Sequence, residues 1–307
     1  MVTANAQRQA WRAVPELAAL LGSGQAEVSC LATDPASGVA VKARCDWVHA
    51  LRNGRAQGHT VKSFDFSGKH ALVTGAGRGI GEAIARELHG GGACVALADI
   101  DFAAAQSAAA ALGERAIALK LDVRKLDDFE AARDRLLAAW GRIDIVVNNA
   151  GWAKRTPVAE ITPDEFDDVV AVNMRSVFTS CQVFGPVLQA QGYGRIVNVT
   201  SLAGQNGGTV ASAHYAAAKA GAIMLTKYFA LLLAPHGVTV NAISPGPTST
   251  AKDRLTPEQI AAIKARVPIG RFAEAQEMAA AVALLASDRG GFFVGATLDL
   301  NGGLFLR

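Results

Sequence analysis

The sequence predicts an α/β fold: a single doubly wound domain with a parallel sheet at residues 64–307, preceded by an N-terminal extension at residues 1–63. From residue 64 onwards, short apolar runs alternate with longer helical segments. The short runs are continuously apolar, which is typical of parallel strands buried on both faces. A glycine-rich turn joins the first run to the first helical segment. Strands and helices that alternate in this way form a doubly wound sheet, whose ligands bind beyond the carboxyl ends of the strands.

The predicted elements follow one another with short connections. The first strand, "HALVTG", leads through the glycine-rich turn into a helix that ends at three glycines. An alanine-rich helix follows the second strand and ends near residue 112. The predicted strands cover 70–75, 94–99, 116–123, 143–151, 194–201, 238–244 and 296–303. The other predicted helices cover 79–92, 126–141, about 163–191, the segment around Tyr215 and Lys219, and about 274–286.

Residues 1–63 do not continue this alternation. "WRAVPELAALL" and "CDWVHALRNG" are each compatible with a short helix, and "EVSCLATDPASGVAVKA" resembles two strands around an Asp-Pro/Ser-Gly turn. A segment this short is too small to predict a stable core of its own. Two interpretations stay open: a loosely ordered extension, or a small docking or lid module.

Composition and charge exclude several classes of protein. The net charge is +3, and this excess lies in residues 1–63, so no nucleic-acid partner is predicted. The four cysteines lack the spacing of zinc ligands, so no metal is predicted, and isolated thiols favour a reducing compartment. No run reaches 18 uninterrupted apolar residues, so no membrane span is predicted. The expected location is cytoplasmic.

The turn "VTGAGRGIG" after the first strand predicts a dinucleotide site. Gly75, Gly79 and Gly81 let the backbone turn sharply and approach a pyrophosphate, whose charge then meets free N–H groups at the helix N-terminus. Asp99 ends the second strand, where a carboxylate can accept hydrogen bonds from both ribose hydroxyls and repels a 2′-phosphate. This favours NAD, whereas Arg78 inside the turn can pair with a phosphate and favours NADP. Asp122, at the end of the third strand, can bind an adenine amino group, although either aspartate can instead cap a helix.

A second group of residues predicts acid–base chemistry. Tyr215 and Lys219 are four residues apart in a helix and therefore share a face, where an ammonium would lower the pKa of the phenol. Ser201 closes a strand fourteen residues earlier and can hold a substrate oxygen beside that phenol. Asn173 interrupts a helix where a better helix former is expected, and it can hold a water molecule that connects Lys219 to solvent.

Together these motifs resemble the short-chain dehydrogenase/reductase family over residues 64–307. The resemblance covers, in order, "TGAGRGIG", "NNAG" at 148–151, Asn173, Ser201, the Tyr215–Lys219 pair and "PGPTST" at 245–250. It departs from many members in a Ser-to-Tyr interval that is one residue longer, and the 63-residue extension lies outside the family pattern.

The resemblance implies a Rossmann-type fold and a nicotinamide-dependent oxidoreductase. It implies Tyr215 as general acid/base, Lys219 on the nicotinamide ribose, Ser201 beside the carbonyl or alcohol, and Asn173 in the proton relay. Asn149 would line the cofactor cleft and Thr250 would contact the carboxamide. The full set of implied cofactor contacts is Gly75, Arg78, Gly79, Ile80, Gly81, Asp99, Asp122, Val123, Asn149, Tyr215, Lys219 and Thr250. It also implies a homotetramer or homodimer that pairs the long helices including that of Tyr215.

Within the family, "NNAGWAKRTPVAEITPDEF" and "FFVGATLDLNGG" look most like the bacterial 3-oxoacyl-thioester reductases, although shared scaffold features do not choose a substrate. Segment 248–270 is the expected substrate lid, and its short length favours a small or flexible substrate. Two other hypotheses are a dinucleotide-binding scaffold that recruits a partner through residues 1–63, and a sugar-nucleotide epimerase or dehydratase. The complete catalytic set disfavours the first, and the short tail after residue 290 disfavours the second.

Overall fold

The computed structural model describes residues 29–33, 40–44, 64–208, 212–250 and 255–306. The chain divides into two units, Met1–Val61 and Lys62–Arg307. In the first unit, β1 (Ser29–Thr33) and β2 (Ala40–Arg44) form an antiparallel pair with Ser29 opposite Arg44. The two predicted strands of this segment are thereby confirmed. The two short helices and the turn expected there lie outside the described residues.

The second unit is built on a seven-stranded sheet in which each neighbouring pair of strands is parallel. Its strands are β3 (His70–Thr74), β4 (Cys94–Asp99), β5 (Ala116–Lys120), β6 (Ile145–Asn148), β7 (Gly194–Val199), β8 (Val238–Pro245) and β9 (Thr297–Leu300). Their order across the sheet is β5-β4-β3-β6-β7-β8-β9. The strand order reverses between β3 and β6, which is where ligands bind in open parallel sheets. The predicted α/β fold class is confirmed.

The helices connect successive strands. They are α1 (Gly79–Gly90), α2 (Phe102–Leu112), α3 (Leu126–Trp140), α4 (Pro163–Val170), α5 (Ser176–Gln191), α6 (Ala203–Asn206), α7 (Ala213–Leu233), α8 (Pro257–Arg266) and α9 (Ala275–Ala286). The predicted helix at 163–191 is interrupted by a π-helical turn at Ala171–Arg175. The expected lid segment contains α8, which begins at the capping box formed by Thr256 and Gln259. The strands predicted at 116–123 and 143–151 are shorter in the structure because their last residues leave the sheet and form loops at its carboxyl edge.

Two buried hydrophobic clusters cover the two faces of the sheet. One contains Phe129 of α3 and Phe184 of α5, and the other contains Leu88 of α1 and Val282 of α9. Consecutive residues of β3 belong to different clusters because successive side chains of a strand point to opposite faces. The continuous apolar runs of the sequence therefore correspond to strands that are buried on both sides.

Helix α7 packs against this sheet and carries Tyr215 and Lys219. By length and composition alone, the stretch Ala213–His236 would be able to cross a membrane, with a mean hydropathy of 1.4 in its most apolar window. Half of that window is buried inside the domain, as in the core helices of globular proteins. Thr226 of α7 accepts a hydrogen bond from Asn198 of β7, which in turn accepts one from Asn148 of β6. This buried polar chain links the helix to two central strands.

Candidate active site

The glycine turn at the carboxyl end of β3 has a conformation that depends on its glycines. Gly75 and Gly79 adopt positive φ angles of 61° and 65°, in the left-handed region that other residues rarely occupy. At Gly81, a side chain would overlap the Gly75 carbonyl oxygen and the side-chain amide of Asn149. No side chain caps the N-terminus of α1, so its first backbone N–H groups remain available to a phosphate.

Asn149, the second asparagine of "NNAG", holds this turn in place. Its side-chain amide donates hydrogen bonds to the carbonyl oxygens of Thr74 at 2.9 Å and Gly75 at 3.0 Å. The Thr74 hydroxyl accepts hydrogen bonds from the backbone N–H groups of Asn149 and Ala150. Asn149 therefore joins the glycine turn at the end of β3 to the end of β6.

Asp99 lies beside the same turn. Its Oδ2 accepts a hydrogen bond from the Gly77 backbone N–H at 2.9 Å, and its Oδ1 accepts one from the Asp101 N–H at 3.0 Å. Each oxygen of a carboxylate has a second lone pair, so Asp99 can still accept bonds from ribose hydroxyls. The sequence reasoning did not single out Gly77, where a side chain would come within 3.0 Å of Asp99 and 2.8 Å of Ala104. Arg78 is exposed and has no acidic partner among the described residues.

Other expected cofactor contacts are Asp122, Val123, Ile80 and Thr250. Both carboxylate oxygens of Asp122 accept hydrogen bonds from Arg124, which holds the pKa of Asp122 below its usual range. An adenine contact by Asp122 therefore has to share the carboxylate with this arginine. Val123 is buried, and Ile80 packs against the core cluster on the α1 side of the sheet. Thr250 lies next to the glycine turn, with its methyl carbon 3.5 Å from the position of a Cβ built on Gly79.

Tyr215 and Ser201 both line a cavity of about 270 Å³. Burial raises the pKa of the Tyr215 phenol, and the nearby Ser201 hydroxyl opposes that increase. The sequence led us to expect that Lys219 lowers this pKa. In the structure, the ammonium nitrogen lies 5.8 Å from the centre of the tyrosine ring, and burial of the phenol sets the direction of the shift.

Lys219 is buried and points towards the sheet. Its Nζ donates a hydrogen bond of 2.8 Å to the backbone carbonyl of Val199, the last residue of β7. Burial lowers the pKa of this amine from its ordinary 10.5 to about 8. The proton of Lys219 is therefore held much less tightly than that of an exposed lysine.

Asn173 lies in the π-helical turn between α4 and α5 and is completely buried. Its side-chain nitrogen donates to the carbonyl oxygens of Trp152 and Val169, both at 3.0 Å, whereas its Oδ1 has no hydrogen-bond partner. A Cβ built on Gly151 would lie 2.8 Å from this oxygen and 3.1 Å from Lys219 Nζ. Both polar atoms thus converge on the space beside Gly151, which only a glycine leaves open. A buried acceptor without a partner is the feature expected where a water molecule or ligand group binds.

These observations agree with a bound dinucleotide. Gly81 packs directly against the Gly75 carbonyl and the Asn149 amide, which keeps the turn tight, and the uncapped helix N-terminus beside it is the usual environment of a pyrophosphate. The glycine turn, Asp99, Asn149 and Thr250 would hold the dinucleotide, and Lys219 with Tyr215 would reach its nicotinamide end. Over the described parts of the chain, no group of three metal-ligating side chains is found.

The cavity at Ser201 and Tyr215 has additional walls that the sequence reasoning did not assign. Arg155 and Ala153, from the loop after β6, line one side, and Phe272 and Leu304 line another. Ile263 and Arg266 of α8 also line it, so the expected lid does border the cavity. Ala153 and Arg155 follow the NNAG motif but were assigned no role from the sequence, and they reach the cavity only through the folding of the chain around the sheet.

Comparison with known proteins agrees with this geometry. A short-chain dehydrogenase family model described as enoyl-(acyl carrier protein) reductase matches residues 75–305. The chain is 40% identical over 245 residues to the 3-oxoacyl-(acyl-carrier-protein) reductase FabG of Escherichia coli (strain K12), covering 79% of this chain and 99% of that protein. It is 39% identical over 240 residues to the protein of the same name in Haemophilus influenzae, covering 78% and 99%. It is also 37% identical over 242 residues to nodulation protein G of Rhizobium sp. (strain N33), covering 78% and 98%. The chain therefore belongs to the short-chain dehydrogenase/reductase family, in the group of the 3-oxoacyl-thioester reductases.

Proposed function

We propose that Tyr215 is the general acid/base of a hydride transfer between a nicotinamide cofactor and a carbonyl/secondary-alcohol pair. The observation that carries the proposal is that Tyr215 and Ser201 line the same cavity, with the serine hydroxyl near enough to the phenol to oppose the increase in its pKa. Two hydroxyl groups there can contact one substrate oxygen, which is what protonation of a carbonyl requires. When bound, the nicotinamide supplies or accepts the hydride.

The pKa shifts of Tyr215 and Lys219 support different proposed roles for these two residues of α7. Because burial raises the pKa of Tyr215, its phenol is protonated at neutral pH and is a proton donor to a carbonyl oxygen. Lys219, whose pKa is lowered to about 8, can return that proton more readily than an exposed lysine. The unpartnered Oδ1 of Asn173 lies near Lys219 Nζ and would hold the water that completes the relay to solvent.

The Tyr215→Phe variant tests this proposal, with Tyr228→Phe as its matched control. Tyr228 is an exposed tyrosine of the same helix, so its variant loses the same hydroxyl away from the cavity. We expect Tyr215→Phe to lower turnover at least ~100-fold, in line with the contribution of positioned acid–base groups, while nucleotide binding measured by fluorescence is retained. Full activity in Tyr215→Phe would exclude the assigned role.

We propose that the cofactor is NAD, with NADP as the alternative that Arg78 favours. The carboxylate of Asp99 supports NAD because it lies beside the glycine turn and would repel a 2′-phosphate. The Asp99→Asn variant keeps an oxygen acceptor for the Gly77 N–H while it removes the charge. We expect this variant to shift the ratio of kcat/KM values towards NADP by at least ~10-fold. A wild-type protein with a tenfold preference for NADP would show that Arg78 outweighs Asp99.

The substrate that we propose is a 3-oxoacyl thioester or a similar carbonyl compound with a short apolar body. The names of the two reductase relatives and the apolar cavity wall support this choice. The family description instead names an enoyl reductase, which acts on a carbon–carbon double bond. Oxidation of reduced nicotinamide by a 3-oxobutanoyl thioester and by the corresponding 2-enoyl thioester separates the two. We expect turnover of the 3-oxobutanoyl thioester only, since the proposed role of Ser201 and Tyr215 is to bind a carbonyl or hydroxyl oxygen.

We also propose that the protein assembles as a homodimer or homotetramer through α5 and α7. Four large apolar side chains on these helices are strongly exposed, namely Phe178, Met224, Leu231 and Leu232. A second copy of the same face would cover them, and such an isologous pairing is the commonest route to a symmetric oligomer. Sedimentation of the protein and of Leu231→Glu tests this, because a charge at that position is expected to shift the protein towards the monomer.

Residues 64–307 are proposed to be the catalytic domain, and residues 1–63 either a loosely ordered extension or a docking or lid module. A cytoplasmic location is proposed as well, supported by the free thiols of Cys94 and Cys181. Turnover of a chain that starts at residue 62 tests the domain assignment, since every proposed catalytic residue lies within Lys62–Arg307.

A further inference from the structure

The loop that follows β6 brings an arginine to the proposed substrate cavity. Arg155 lines the cavity together with Ser201 and Tyr215, the two residues whose hydroxyl groups are proposed to bind the substrate oxygen. Its side chain is exposed, and within the described ranges it has neither an ion-pair nor a hydrogen-bond partner. A guanidinium carries a permanent positive charge and five donors in a planar arrangement that matches carboxylates and phosphates.

The backbone on the N-terminal side of Arg155 is anchored by two hydrogen bonds from other elements. Asn173 of the π-helical turn donates to the carbonyl of Trp152 at 3.0 Å, and the Ser212 hydroxyl donates to the carbonyl of Lys154 at 2.8 Å. Ser212 is the N-cap position of α7, yet its hydroxyl does not cap that helix. It contacts the loop instead. The residue before Arg155 is therefore hydrogen-bonded to the N-cap residue of α7, the helix that carries Tyr215.

Among the described residues, no acidic side chain is paired with Arg155. Glu165, the nearby carboxylate of α4, is occupied by other partners: its Oε2 lies 3.1 Å from Lys154 Nζ and its Oε1 lies 3.1 Å from His214 Nε2. The described cavity wall contains no aspartate or glutamate, and a second guanidinium, that of Arg266, also lines it. The cavity thus has an apolar wall, two hydroxyl groups and, at Arg155, a cation without an acidic partner among the described residues.

We infer that Arg155 binds an anionic group of the substrate, a carboxylate or a phosphate, so that the site selects carbonyl or alcohol compounds with a short apolar body and a negative charge. This inference rests on the proposed function of the same cavity. It adds a recognition residue that is not part of the acid–base group. The carboxylate would belong to an oxo or hydroxy acid, and the phosphate to the carrier arm of a thioester.

Two substrate pairs and two variants test the inference. The first pair is 3-oxobutanoate and its neutral ethyl ester, and the second is the 3-oxobutanoyl thioester of phosphopantetheine and that of the uncharged N-acetylcysteamine. Arg155→Gln removes the proposed contact. Lys264→Gln is the matched control, because Lys264 is an exposed cation of α8 that does not line the cavity. It removes the same charge from the same region.

We expect the wild-type kcat/KM to favour the anionic member of one pair by roughly 10-fold or more, as for hydrogen bonds to charged groups. Arg155→Gln should bring that ratio close to one and leave the neutral member unchanged, whereas Lys264→Gln should retain it. The pair that responds identifies the source of the charge. The inference would be overturned by wild-type kcat/KM ratios near one in both substrate pairs. It would also be overturned if Arg155→Gln and Lys264→Gln lowered the ratio equally.

A binding measurement keeps this test separate from the proposed chemistry. Calorimetric titration with butanoate and with neutral butanamide, in the presence of oxidised nicotinamide dinucleotide, requires no turnover. We expect butanoate to bind the wild-type protein and Lys264→Gln at least several-fold more tightly than Arg155→Gln. Tyr215-independent turnover of the neutral substrates would contradict the proposed function alone. Equal binding of butanoate to all three proteins, together with kcat/KM ratios that Arg155→Gln leaves unchanged in both substrate pairs, would contradict the inference alone.

Discussion

Lys219 is required by the proposed mechanism, yet the structure indicates that it destabilises the folded protein at neutral pH. Its side chain is 4% exposed, and burial lowers its pKa from 10.5 to about 8. A buried amine binds its proton less tightly than the same amine in the unfolded chain. Between these two pKa values the unfolded state therefore binds more protons, and the free energy of unfolding increases with pH. Replacing Lys219 by methionine removes this dependence while keeping a long, flexible side chain.

The size of the effect follows from the pKa shift. One pKa unit corresponds to 1.36 kcal/mol, so the protonated lysine costs about 3 kcal/mol of stability well below pH 8. From about pH 6.5 to about pH 9.5, the wild-type protein should gain about 2 kcal/mol relative to Lys219→Met. The variant also loses the hydrogen bond to the Val199 carbonyl, which costs about 1–2 kcal/mol at either pH. The difference between the two pH values is therefore the informative quantity.

Urea unfolding followed by circular dichroism measures this difference. Both proteins are compared at the two pH values, at one protein concentration and without nucleotide, since ligands and oligomerisation shift apparent stability. The slope of the unfolding free energy against urea must stay the same for the comparison to hold. We expect Lys219→Met to be inactive and to show the smaller gain in stability at high pH. A pH dependence identical in both proteins would refute the claim that the buried amine has a lowered pKa.

Two further predictions concern the glycine turn and the buried polar chain. Gly81→Ala should abolish nucleotide binding measured by fluorescence, because its Cβ would overlap the side-chain amide of Asn149. The control, Gly90→Ala, lies at the open end of the same helix and should bind nucleotide normally. Equal nucleotide binding by the two variants would mean that the turn tolerates a side chain. Asn198→Ala should lower the free energy of unfolding, measured by urea unfolding, by about 2–3 kcal/mol, because it opens a cavity and breaks the hydrogen bond to Thr226. A decrease below about 0.5 kcal/mol would mean that the buried polar chain contributes little to stability.

The elements of the fold could be predicted from local patterns. β4 coincides with its predicted range at Cys94–Asp99, and α1 begins at the predicted residue 79. The sequence predicted one continuous helix at about 163–191 and did not predict its π-helical turn, because one extra residue in a turn hardly changes the apolar periodicity. That turn matters because it is where Asn173 lies, close to Lys219. Asn173 itself was predicted from the sequence as an unusual residue for a helix, whereas the π-helical conformation around it was not predicted.

The candidate site divides in the same way. Sequence spacing placed Lys219 one helical turn from Tyr215, but it gave the wrong sign for the pKa of the phenol, because burial depends on the packing of α7. Spacing also brought out Asp99, but not the Gly77 N–H that it binds across the turn. For Asp122, the sequence reasoning overlooked its near neighbour Arg124, which occupies the carboxylate.

The sequence by itself determined the order of strands and helices, the glycine turn, and the residue types that can transfer a proton. These follow from short-range rules: side-chain periodicity, the stereochemistry of glycine, and the shared face of residues four apart in a helix. The tertiary structure alone decided which groups are dehydrated and which charges meet. Arg155 and Phe272 border one cavity although more than a hundred residues separate them in the chain, and Lys219 loses its proton readily because the sheet excludes water from it. Solvation and long-range contact are properties of the packed molecule, so no local pattern encodes them.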